Sequence, residues 1–173
     1  MRYISNQFQT NFKPISNQFQ TNFKPISNQF QTLHESKYQT PNNLLVFSSL
    51  IFVVNAVIAF RYGYYFYSYL FLSLVITSII FHTCKNIYAF CLDKIVIFMI
   101  FLYGSYLLYH KFRMKKLGLV SLIVATFLLT VFFFYYGYLT NSYCYDPDKG
   151  IGNYYHCLVH IIGSLGHQMI VLL

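Results

Sequence analysis

Charge is scarce in this chain. Only 9% of its 173 residues are Asp, Glu, Lys or Arg, where an ordinary soluble domain carries roughly a quarter. Tryptophan is absent, although Tyr and Phe number 18 and 19. None of the four cysteines stands in a CxxC pair, which leaves a zinc-knuckle or thioredoxin-like site without support. The polar first 40 residues contain no apolar core of a secretory signal. Alternating ten-residue segments are missing too, and with them the pattern of a membrane β-barrel.

Long apolar runs fill the space that charge leaves. Hydrophobic residues make up 57% of the chain, and the charged ones fall mostly between the runs, the pattern of a multi-span membrane protein. The formal charge of +8 is scattered apart from a cluster at Lys111, Arg113, Lys115 and Lys116. Such a balance suits anionic lipid head groups and gives no reason to expect a nucleic-acid partner.

The chain divides at about residue 42. Residues 4–14 (ISNQFQTNFKP) recur at 15–25 and in part at 26–32. Eleven residues match a helical repeat period, but each full unit ends in Pro and is rich in Asn, Gln, Ser and Thr. Residues 1–42 are therefore expected to be a disordered low-complexity tail. Residues 43–173 read as an all-α membrane domain of five transmembrane helices, at about 43–60, 64–82, 91–109, 117–139 and 154–173. In lipid the backbone must satisfy its own polar groups, so helices are required.

The last span carries the most informative residues. His156 and His160 are four apart, about 40° around a helix and one turn along it, so both imidazoles can reach one metal ion. An ionisable residue inside a span is a functional candidate by default. Successive spans alternate direction, so the second ends where the third and fifth begin. His82, Asp93, His156 and His160 therefore converge on the membrane face that carries the N-terminus. Ser78 shares a helix face with His82. Three imidazoles plus water match a catalytic zinc site, with Asp93 as proton carrier and Ser78 as hydrogen-bond donor to a developing oxyanion. The bland alternatives stay open at this stage: interfacial histidines, a head-group-level pair between Asp93 and Lys94, and Ser78 as a helix-packing residue.

Other features are assigned less to do. His167 is expected to make a packing or polar interior contact, while His34 and His110 face solvent or head groups. Asp146 to Gly150 (DPDKG) reads as a turn and not a calcium loop. Cys144 and Cys157 flank one loop and could pair in an oxidising compartment; free thiols are equally compatible. The basic loop near residue 113, with Arg61 on the same side, favours the cytosol, leaving the N-terminus and the site towards a lumen or the exterior.

Taken together, Ser78 and His82, Asp93 eleven residues later, and the final His156 and His160 resemble the motifs of the CREST superfamily of membrane hydrolases. That group includes alkaline ceramidases, GPI-anchor remodelling proteins, adiponectin-receptor-like proteins and myomaker-like proteins. SIIFHTCKNIYAFCLD is similar to the ceramidase and GPI-remodelling segment in its FH start and LD end, and HCLVHIIGSLG is similar to the last-helix motif of ceramidases. The resemblance implies Zn2+ as cofactor with His82, His156 and His160 as ligands, and catalytic roles for Asp93 and Ser78. It implies a membrane lipid substrate, foremost the amide of a ceramide-like lipid, and an endoplasmic-reticulum or Golgi-type membrane. The GPI-remodelling relatives imply an ester-cleaving alternative, and the myomaker-like ones a non-enzymatic protein of membrane organisation. Family members have seven spans; five here preserve the parity of the site, and pairing with a second copy (a homo-oligomer) could restore missing wall. Val159 stands where many members have an aromatic residue, and Lys94 where ceramidases tend to be acidic. The acidic calcium-binding N-terminal segment of some ceramidases has no counterpart in the repeat.

Overall fold

The computed structural model describes residues 43–84, 86–113 and 116–173. The repeat, its expected disorder and His34 lie outside the described residues. Among the described residues there is no strand, and five helices are long and apolar enough to cross a membrane: α1 (Asn43–Arg61), α2 (Tyr65–Cys84), α3 (Ile87–Lys111), α4 (Leu117–Thr140) and α5 (Lys149–Leu172). Their outer faces carry Leu, Val, Ile, Phe and Tyr side chains in quantity. An aqueous surface rarely tolerates such patches, but a hydrocarbon one requires them.

Local signals explain the joints. Gly63, with φ +79, ends α1. Around it the Tyr64 N–H reaches Ala59 O at 2.9 Å and the Gly63 N–H reaches Phe60 O at 3.0 Å, the paired bonds of a glycine-terminated helix. α1 is interrupted at Leu50, between Asn43–Ser49 and Ile51–Arg61. Just before the break, the hydroxyls of Ser48 and Ser49 both donate back to Leu45 O, at 3.0 and 2.8 Å. Back-bonding of this kind bends helices.

Two starts differ from the sequence expectation. α3 begins at Ile87, not near 91, because the Asn86 side chain accepts from Ala89 N at 2.7 Å and caps it. α5 begins at Lys149, not near 154, because Asp148 accepts from Gly150 N at 2.7 Å. The DPDKG turn is thus also a helix cap. Within α4, Phe132–Tyr136 forms a π-helical turn, which carries Phe133 and Phe134 inward together.

α2 is the most buried helix and packs along both α1 and α3; α4 packs along α5, and α5 joins α1. The α1–α2 contact is close because Ala56 and Ala59 are small and buried, and Ser68 Oγ donates to Ala56 O at 2.8 Å. Further along, Phe52, Phe71, Leu74, Val96, Ile100 and Ile170 build the apolar core. At the far end the Lys111 ammonium donates to Ile170 O and Val171 O at 3.1 and 2.6 Å, satisfying the last carbonyls of α5. α1 is held on α5 by a buried amide: Asn55 Nδ2 donates to Ser164 O at 3.0 Å, while its Oδ1 accepts from Ser164 Oγ at 2.5 Å and Gln168 Nε2 at 3.2 Å.

Asn55→Ala should therefore lower stability by about 1 kcal/mol, the scale of interhelical polar contacts in bilayers, in a titration from mild detergent into denaturing detergent. An unchanged midpoint would show that this network does not hold α1 to α5.

Candidate metal centre

α2 ends with Ser78 and His82 one turn apart, both buried. α5 brings up His156, half-buried, and His160, buried. One ligand nitrogen from each of His82, His156 and His160 lies within 4.8 Å of the other two. Their rings meet edge-on or tilted, with centroids 5.1 Å apart for His82–His156, 5.7 Å for His82–His160 and 4.9 Å for His156–His160. Around a tetrahedral zinc with ~2.05 Å bonds, ligand nitrogens stand roughly 3.3 Å apart. These three residues could hold a metal ion.

The cap at Asn86 places Asp93 nearly two turns into α3, and its side chain is buried at 3% exposure. Its Oδ2 receives Lys94 Nζ at 3.0 Å. Asp93 Oδ1 is buried with no hydrogen-bond partner, alone in this among the side-chain atoms of the described residues. The Lys94 ammonium in turn stands 5.5, 5.4 and 5.6 Å from the ring centres of Phe81, Phe90 and Phe134, a setting that offsets part of its lost hydration. Phe134 also meets the His156 ring at 5.2 Å. The π turn of α4 thus places one ring against both His156 and the Lys94 ammonium.

A cavity of ≈ 520 Å³ adjoins these groups. Ser78, Asp93, Lys94, His156 and His160 line its polar part, and Phe and aliphatic side chains line most of the remainder. α3 contributes Lys94, Ile97, Phe98 and Phe101, and α4 contributes Phe127, Thr130, Val131 and Phe134, each set at helical i, i+3, i+4, i+7 spacing. These two helices share no extensive backbone contact among the described residues. Side chains bridge them instead, Phe101 to Phe127 at 5.8 Å and Lys94 to Phe134. Ile97, Phe98 and Val131 are at once cavity wall and exposed surface, so the cavity opens sideways between α3 and α4.

His167 is buried deeper along α5. Its Nδ1 is hydrogen-bonded to the Tyr67 hydroxyl, and rings of Phe71 and Phe127 flank it, matching the expected interior contact. Gly104 makes room for that pair: a Cβ there would stand 2.6 Å from Tyr67 Oη. His110 is exposed against Tyr106 and Tyr109. All four cysteines are free. The Cys157 thiol points at Leu44 O, 3.7 Å away, and burial, aided by Cys157 nearby, pushes the Cys144 thiol up to about 12.

Two residues of the site gave no signal in the sequence. Ser49 Oγ lies 2.9 Å from Ser78 Oγ, and Ser48 Oγ lies 2.8 Å from His160 Nδ1. The one available hint is the Ser-Ser pair inside the first apolar run, where hydroxyls need internal partners. Which partners they find depends on how the spans pack.

Comparison of the chain with protein-family models, with curated proteins and with solved structures gives no match.

Two outcomes are expected. Metal-free protein should take up one divalent ion, and His82→Ala, His156→Ala and His160→Ala should each abolish uptake while helicity is kept; uptake surviving all three would place the ion elsewhere. Alkylation of Cys144 should keep rising about tenfold per pH unit beyond pH 9, where an ordinary thiol with pKa near 8.5 levels off. A plateau near pH 9 would contradict the burial of that thiol.

Proposed function

We propose that this chain is a zinc-dependent intramembrane hydrolase of an acyl lipid, and that the bond it cleaves is the amide of a ceramide-like substrate. One observation carries the reading: of three clustered imidazoles, those of His156 and His160 line an otherwise apolar cavity together with Asp93, whose Oδ1 has no partner, and that cavity opens between α3 and α4. The donor set suits zinc, which accepts three neutral imidazoles and keeps a further position open. The resemblance of Ser78, His82, Asp93, His156 and His160 to the CREST motifs points the same way.

When bound, zinc polarises a carbonyl and brings the acidity of a water molecule close to neutral. The chain's own residues supply the rest. An acyl chain enters between α3 and α4 and lies against Phe98, Phe101, Phe127 and Val131, so its carbonyl reaches the site without crossing water. Asp93 presents Oδ1, because Lys94 holds Oδ2. That oxygen takes a proton from water and returns it to the leaving nitrogen. Ser78 lines the cavity with its hydroxyl tied to Ser49. Since Ser49 already donates to Leu45 O, the Ser78 proton rests on Ser49. It serves a developing oxyanion by rotating away from that partner.

The test is release of fatty acid from ceramides, and in parallel from ester lipids, by zinc-loaded protein in lipid nanodiscs. Asp93→Asn should lower kcat by about 10²–10⁴-fold with zinc content unchanged. Zinc-replete, folded protein that cleaves neither class would sink the hydrolase reading and favour a membrane-organising protein with a structural metal. Cleavage of esters alone would move the substrate to the ester-linked lipids.

A further inference from the structure

The histidine cluster is built from α2 and α5, but one of its rings is gripped from α1. His160 Nδ1 stands 2.8 Å from Ser48 Oγ. The same hydroxyl lies 3.0 Å from Leu45 O with geometry for donation. A serine hydroxyl has one proton and accepts through its lone pairs. If that proton goes to the Leu45 carbonyl, which cannot donate, Ser48 faces His160 as an acceptor and Nδ1 must carry hydrogen. A neutral imidazole protonated at Nδ1 has its free lone pair on Nε2, the form a metal ion requires. One turn after Ser48, the Phe52 ring meets the His160 ring edge-on with centroids 5.3 Å apart. α1 therefore holds the ring by a hydrogen bond and by packing.

We propose that Ser48 is a positioning residue of the metal centre: through the chain Leu45 O, Ser48 Oγ, His160 Nδ1 it fixes the tautomer and plane of His160 and presents Nε2 to the ion. Ligating histidines generally donate their second ring N–H in this way, and loss of the acceptor costs about 10–100-fold in metal affinity. The first span thus contributes to the site without supplying a ligand. This inference rests on the reading of His160 as a ligand, and its test separates the two.

The experiment uses the full chain in nanodiscs with 15N-labelled histidine, the His160 signals being identified by their loss in His160→Asn. Metal-free parent should show His160 protonated at Nδ1. Ser48→Ala should show a mixture of tautomers, and Ser48→Thr, which restores a hydroxyl, should return the parent spectrum. Competition against a chromophoric zinc chelator should then give about 10–100-fold weaker binding for Ser48→Ala, recovered in Ser48→Thr, at equal helicity. Parent protein with the proton on Nε2 would overturn the proposal, since Ser48 would then be donating to Nδ1 and the metal-facing nitrogen would be blocked. A Ser48→Ala spectrum and affinity equal to the parent's would overturn it as well. Absence of zinc binding in the parent would defeat the hydrolase reading, and the nitrogen spectra alone would still decide whether Ser48 sets the tautomer.

Discussion

Inside a bundle whose outer faces are apolar, a polar side chain has nowhere to turn except to another part of the chain. Much of this structure follows from that constraint. Asn55 finds Ser164 and Gln168, Tyr67 finds His167, and Ser48 and Ser49 find one backbone carbonyl, an imidazole and a third serine. Apart from the two bonds back to Leu45 O within α1, these pairings cross between helices, so the bonds that satisfy polar groups also set the packing. Asp93 Oδ1 breaks the pattern. An unsatisfied carboxylate oxygen in such an interior is costly, and its residue's place on the cavity that His156 and His160 also line is the best physical reason to look for a ligand there.

α5 is the partner in most of these pairings, Ser49 to Ser78 excepted. It offers His156 and His160 at one end, Ser164 and His167 in the middle, and its last carbonyls to Lys111 at the other. Lys111 belongs to the basic loop that favours a cytosolic placement on charge grounds. Since its ammonium is engaged with α5 and with the face of Tyr64 at 4.7 Å, part of that loop's charge serves the fold. The weight it lends to an orientation is correspondingly smaller.

The five spans are readable from the sequence because length and apolarity are summed over some twenty residues, which no single side chain can overturn. The gathering of His82, His156 and His160 is readable for a related reason, since alternating span direction dictates which ends meet. What stays hidden depends on single hydrogen bonds or on packing between distant spans. Asn86 and Asp148 lengthen α3 and α5 by capping them earlier than the apolar runs suggest, which moves Asp93 from a helix entrance into the interior. The π turn at Phe132–Tyr136 follows from no composition rule. The roles of Ser48 and Ser49 exist only once α1 lies against α2 and α5. The gap between α3 and α4 likewise concerns two helices that are neighbours in the chain and yet hardly touch.

The division of the three histidines between α2 and α5 also bears on how the protein is made. A chain synthesised from its N-terminus brings His82 into the membrane with the second helix, while His156 and His160 arrive with the fifth. Until then the partial bundle holds one of the three clustered imidazoles and lacks the other two. Any metal capture by these residues would thereby be reserved for the assembled form. By mass action, an ion present at a hundred times its dissociation constant would stabilise that form by about 2.7 kcal/mol, enough to act as a latch on the last step of biogenesis. If the cluster binds an ion, shortage of that ion would leave the assembled bundle less stable by that amount, even where its sequence is unaltered.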